Sequence, residues 1–83
     1  MASYKVLIKP SAAHELEALP LKERKRIVSK IQRLPKDPRP TGCEKLSGRE
    51  RYRLRQGNYR VLYTIDDREA TIVKIGHRRD VYR

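Results

Sequence analysis

Over residues 4–9, Val6 and Ile8 alternate with Lys5, Leu7 and Lys9, a period of two that predicts a short strand. Pro10 ends it, because proline has no N–H to give to a ladder. The period then changes: Ala12, Leu16 and Leu19 recur at i, i+4 and i+7, which predicts an amphipathic helix over residues 12–19 with Ser11 as its N-cap. Pro20 interrupts the pattern. From Leu21 it resumes, with Ile27, Val28, Ile31 and Leu34 apolar and Lys22, Arg26, Lys30 and Arg33 on other faces, so an αα-hairpin is expected. Isolated helices shorter than about 12–15 residues are marginal in water, so both must lay their apolar stripes on a sheet.

Residues 35–42, with three prolines and a glycine, form an extended loop between two halves. Beyond it, residues 51–56 alternate cationic and apolar side chains, 59–65 are β-branched and aromatic, and 71–75 supply a third strand. Gly57-Asn58 tolerates the positive φ of a tight hairpin turn. The expected class is α+β: a small single domain over residues 1–83, with an N-terminal strand, a helical hairpin and a three-stranded antiparallel meander.

Strand side chains point to alternate faces, so the turn decides which residues share one. A two-residue turn at Gly57-Asn58 sets Arg55 against Arg60, Leu54 against Val61 and Tyr52 against Tyr63; a four-residue loop gives the same pairs from Arg55 outward. Tyr52, Leu54, Val61, Tyr63 and Ile65 then form core, and Arg51, Arg53, Arg55 and Arg60 share the opposite face. Like charges directly opposite destabilise by an amount comparable to the ~0.2–1 kcal/mol of a favourable pair, unless an anion bridges them. In the next hairpin an odd turn, Asp67-Arg68-Glu69, would bring Val73 and Ile75 to the core, Lys74 and Arg78 to the arginine side, and point His77 away. An even turn would make Ala70 and Ile72 core and set His77 among the arginines. The odd turn is the one expected here.

Charge adds a partner to this picture. The 83 residues hold 21 Lys and Arg against 10 Asp and Glu, a net charge of +11 that favours a polyanion such as nucleic acid. From Glu44 onward there are nine arginines and two lysines, whereas residues 1–43 hold six lysines and four arginines. Arginine grips phosphate through a planar fork, which a hydrated lysine point charge does not. The plain alternative is a solvated outer sheet face. Cys43 is the single cysteine, so no internal disulfide or cysteine-based metal cluster is possible and a reducing cytoplasm is the expected setting. No stretch approaches the ~20 apolar residues of a membrane span, and the N-terminus lacks a secretory signal's apolar region.

The stretch Tyr52-Arg-Leu-Arg-Gln-Gly-Asn-Tyr-Arg-Val-Leu-Tyr63, followed by Ile75-Gly-His-Arg-Arg-Asp-Val-Tyr82-Arg83, resembles the RelE branch of the RelE/ParE superfamily of bacterial toxins. The resemblance covers essentially the whole chain, element by element. It implies a toxin of a toxin–antitoxin pair that enters the ribosomal A site and cleaves mRNA there without a metal or other cofactor, neutralised by a small RelB-like antitoxin. It assigns substrate-positioning roles to Arg51, Arg53 and Arg55, transition-state stabilisation to Arg60, an active-site role to Arg78, and catalysis to Tyr82.

Such cleavage needs the 2′-hydroxyl deprotonated, the phosphorane charge stabilised and the leaving 5′-oxygen protonated. His14 is expected on a helix surface, and His77 is a secondary candidate. Tyrosine has an unperturbed pKa of about 10, but one cation ~5 Å away at an effective dielectric of ~20 favours its ionised form by about 3 kcal/mol before screening. Tyr82 is therefore the expected general base and Arg78 a further stabiliser and proton donor, a demanding role for a group of pKa above ~12. Many relatives carry a helix beyond the terminal tyrosine; here only Arg83 follows. The bland reading of this end is that Val81 or Tyr82 docks an apolar side chain against the sheet. Two other functions compete: a ParE-like toxin that poisons DNA gyrase, and a non-catalytic RNA- or ribosome-binding domain.

Overall fold

The computed structural model describes residues 3–46 and 50–81. The elements are β1 (Lys5–Ile8), α1 (Pro10–Glu17), α2 (Leu21–Arg33), β2 (Glu44–Leu46), β3 (Arg51–Gln56), β4 (Tyr59–Asp66) and β5 (Glu69–His77). They form one mixed sheet in the order β1-β5-β4-β3-β2, in which β1 runs parallel to β5 and the other pairs are antiparallel. The α+β class and the meander are as the sequence leads one to expect. β2 is an addition: three residues, Glu44-Lys45-Leu46, paired with Arg53, Tyr52 and Arg51. So short and polar a segment carries no readable alternation.

Both helices lie on one face. Ala12 and Leu16 of α1, and Ile27 and Ile31 of α2, join Leu34, Tyr52, Leu54, Val61, Tyr63, Ile65, Ala70, Ile72 and Ile75 in a single core. α1 begins earlier than Ser11 would cap it. Pro10 occupies its first turn and Lys9 is the N-cap, without a side-chain hydrogen bond. Proline's fixed φ suits that position, and its missing N–H is one the helix could not use. Pro20 is likewise the residue preceding α2.

The β3–β4 hairpin has the expected register, from Gln56↔Tyr59 through Arg55↔Arg60 to Arg51↔Thr64. Gly57 takes φ 57° at the first of its two turn positions, the conformation for which glycine carries no steric penalty. The β4–β5 hairpin corrects the odd turn. Asp67 and Arg68 form a two-residue turn with φ 45° and 64°, and Asp66 pairs with Glu69. Ala70 and Ile72 are therefore core, and Val73 is not. A bulge then shifts the register: Tyr63 faces Ile72, Leu62 faces Lys74, and Val73 has no partner on β4. Past it Ile75 is buried opposite Val61, Lys74 lies on the arginine side, and His77 faces Tyr59 on the other. The even register holds near the turn, and the expected sidedness holds beyond the bulge.

Helical side chains finish both sheet edges where the short outer strands stop. β1 runs beside β5 only as far as Ile8↔Ile72, and past it Glu15 Oε1 of α1 accepts the Ile75 N–H at 3.0 Å. β2 runs beside β3 only as far as Glu44↔Arg53, and past it Lys30 Nζ of α2 donates to the Arg55 carbonyl at 2.6 Å. Each backbone group so covered is lost as a template for another strand.

Candidate functional site on the arginine face

Strand alternation sets Arg51, Arg53, Arg55 and Arg60 on the sheet face away from the helices, while Tyr52, Leu54, Val61 and Tyr63 are buried beneath α1 and α2. Arg55 and Arg60 are direct cross-strand partners. The four guanidinium groups nevertheless differ in their surroundings. Arg51 and Arg55 are exposed. Arg53 is ion-paired with Glu44 of β2, so part of the like-charge repulsion is answered within the fold. Arg60 is 8% exposed, and its Nη1 donates to the carbonyls of Gly57 and Tyr59, each at 2.8 Å. The β3–β4 turn thereby fixes the direction of that side chain.

The segment after β5 folds back to this turn. Arg78 N–H donates to the Asn58 carbonyl at 2.7 Å, which brings Arg78 to the end of the sheet where Arg60 is anchored. His77 organises the terminal turn: its carbonyl accepts from Asp80 N (2.8 Å) and Val81 N (3.0 Å), and its ring Nδ1 accepts from Arg79 N at 3.2 Å. The ring stands edge-on to Tyr59, centroids 5.7 Å apart, away from the arginines. Val81 is 2% exposed. A Cβ on Gly76, the residue opposite Arg60, would stand 3.8 Å from Val81 Cβ, so the terminal turn rests on the arginine face. Docking of Val81, the bland expectation for this end, is therefore real. Tyr82 lies outside the described residues. His14 is exposed on α1.

A polar latch ties the proline loop to the other end of the hairpin. Tyr63 hydroxyl donates to the Pro38 carbonyl at 2.8 Å, and Tyr63 and Tyr52 stack with centroids 5.6 Å apart. Tyr52 hydroxyl donates to Glu50 at 2.6 Å and accepts from Arg39 Nε at 2.9 Å, with the Arg39 guanidinium 5.3 Å above the Tyr52 ring. The Tyr52 hydroxyl, then Lys45 and Arg39, hold the Glu50 carboxyl down to about 2. Burial pushes the Tyr63 phenol far up, so it stays a neutral donor. These tyrosines are structural.

Three residues escape the sequence reading. Glu44 follows a glycine and a cysteine in an apparent loop, and only the β2 pairing reveals it as the partner of Arg53. Lys30 and Arg33, at i and i+3 on α2, line a cleft beside β3 together with Arg55. Their helical spacing is the signal that could have found them.

A family profile described as ParE toxin of the type II toxin–antitoxin system matches residues 6–82. The curated toxin RelG of Mycobacterium tuberculosis is 47% identical over 34 residues, 39% of each chain, so the aligned part spans well under half of that relative. Among solved structures, the archaeal RelE–RelB complex from Pyrococcus horikoshii matches with a TM-score of 0.82 at 29% identity, covering 94% of this chain and 98% of that one. The RelBE2 toxin–antitoxin complex of Mycobacterium tuberculosis matches with a TM-score of 0.77 at 26% identity, covering 90% and 98%. With a profile spanning nearly the whole length and RelE toxins as structural neighbours, the chain belongs to the RelE/ParE superfamily of type II toxin–antitoxin toxins, in its RelE branch.

Proposed function

We propose that this toxin inhibits translation as a metal-independent endoribonuclease that cleaves mRNA in the ribosomal A site. The observation that supports this most is the gathering of Arg60 and Arg78 at one hairpin turn, at the end of a face that also carries Arg51, Arg53 and Arg55. In the reaction a base takes the proton of the 2′-hydroxyl, and the 2′-oxygen forms a bond to phosphorus. The bond from phosphorus to the 5′-oxygen breaks, leaving a 2′,3′-cyclic phosphate and a 5′-hydroxyl that has gained a proton. Tyr82 is the base, the role that the resemblance to RelE toxins gives it. Arg60 stabilises the phosphorane; its side chain is already oriented by two carbonyls, so little reorganisation is needed as charge develops. Arg78 adds to that stabilisation and supplies the leaving oxygen's proton. Arg51, Arg53 and Arg55 position phosphates, with Glu44 yielding Arg53 to the RNA.

The partners are mRNA on the ribosome and a RelB-like antitoxin, the latter in keeping with related RelE toxins solved bound to RelB. Incubation with programmed ribosomes and mapping of the resulting mRNA ends tests the activity. Tyr82→Phe should lower cleavage by about 10²–10⁴-fold, the usual contribution of a general base, with unchanged thermal unfolding. Undiminished cleavage rejects the role of Tyr82. The profile's ParE description favours one other reading, inhibition of gyrase. That reading predicts blocked supercoiling and no cut mRNA.

A further inference from the structure

Where the arginine face ends at β3, a second basic feature begins. A cleft of about 430 Å³ opens between α2, the proline loop and β3. Among the described residues three cations line it, Lys30, Arg33 and Arg55, against one carboxylate, Glu44, which is already paired with Arg53. Its apolar wall comes from Leu54 and Pro40. The volume falls in the ~300–1,000 Å³ range of small-ligand sites and suits a nucleotide.

Each part has a matching chemistry. Guanidinium and ammonium groups take a phosphate. Lys30 Nζ spends one of its three donors on the Arg55 carbonyl, which fixes where the ammonium sits. The flat ring of Pro40 and the buried Leu54 offer a surface to a base or ribose. Gly42, at φ 92°, has nothing within 4 Å of where a Cβ would stand, so a ligand can approach the loop backbone there. Arg55 connects this cleft to the arginine face, because it also pairs across the hairpin with Arg60.

We propose that the cleft binds one further nucleotide of the same RNA strand, its phosphate among Lys30, Arg33 and Arg55 and its base against Leu54 and Pro40. The strand would leave the arginine face and turn around the outer edge of β3, where β2 has already ended. This rests on the endonuclease reading and adds a strand-binding subsite remote from the scissile bond. Charge excess and continuity with Arg55 favour RNA over an acidic protein segment as the occupant.

The test is a titration of the full-length ¹⁵N-labelled protein with a single-stranded RNA hexamer carrying a deoxyribose at every position that could be cut. The expected result is a shift of the Thr41, Gly42 and Leu54 amides. In Lys30→Ala/Arg33→Ala those shifts should vanish, and the slope of log affinity against log salt should fall by about 0.7, the loss of one single-strand phosphate contact. Should the double variant unfold, Arg33→Glu alone, at an exposed position, should give the same loss. Shifts confined to Arg51, Arg53 and Leu62 overturn the subsite and leave the endonuclease reading standing. Silence at both places also overturns it, and the programmed-ribosome assay judges the nuclease separately. Tighter binding of a poly-glutamate peptide than of the hexamer overturns it in favour of an acidic protein partner.

Discussion

β4 takes part in two hairpins whose turns are both two residues long, yet only one of them keeps a single register along its length. Against β3 every pair is set by the turn, from Gln56↔Tyr59 outward. Against β5 the pairing starts just as regularly and then slips at Val73. The reason lies in the apolar residues. On β3 and β4 the core positions keep one parity, whereas on β5 Ala70 and Ile72 have one parity and Ile75 the other. A bulge is the only way for all three to reach the same core. Turn geometry starts a register; burial decides whether it continues.

The largest expected effect separates the bulged residue from its neighbour. Ile72 is fully buried, so Ile72→Ala should cost about 2–5 kcal/mol in urea unfolding, while Val73→Ala, at the half-buried bulge, should cost under about 1 kcal/mol. Equal losses would mean that Val73 is a core residue after all. Next comes the group that holds the slipped segment. Glu15→Ala leaves the Ile75 N–H without its acceptor and should cost about 1–3 kcal/mol, most of it restored by Glu15→Gln, which keeps an oxygen in place. The turns rank third. Gly57→Ala forces φ 57° on a residue with a Cβ and should cost about 1 kcal/mol. Arg68→Gly relieves the same strain at φ 64° and should gain roughly 0.5 kcal/mol, after the greater unfolded-state entropy of glycine is deducted.

The smallest effect concerns acid. Glu50 is held at about 2 in the folded chain, below its unfolded value of about 4.3, so it stabilises above the latter and the contribution disappears as pH falls towards 2. Glu50→Gln should flatten the fall in thermal midpoint between about pH 5 and pH 2 by lowering the midpoint at pH 7, the two proteins converging near pH 2, and both changes should be small, since the pair is exposed.

Local patterns made much of this legible: the helical stripes of Ala12, Leu16, Ile27 and Ile31, and the parity that gathers Arg51, Arg53, Arg55 and Arg60 on one face. The bulge was also written in the chain, as the spacing of three between Ile72 and Ile75, but two-residue periodicity alone forces a choice between turns instead of admitting both. β2 and the parallel pairing of β1 with β5 depend on contacts between distant segments, which no local pattern encodes. The same holds for the site. Its arginines are visible as residues, whereas the Glu44 partner of Arg53, the carbonyls that orient Arg60 and the return of Arg78 to Asn58 exist only once strands have met.

The parallel pairing of the first strand with the last has a consequence for synthesis. β1 emerges from the exit tunnel about 60 residues ahead of its partners, Glu69 to Ile72. Until then Leu7 and Ile8 have no neighbouring strand, and α1 lacks the β5 surface on which Ala12 and Leu16 pack. Long-range closure of this kind comes late in folding. An interrupted translation product that stops short of β5 therefore cannot complete the sheet, and its first strand and first helix are left with no surface to pack on.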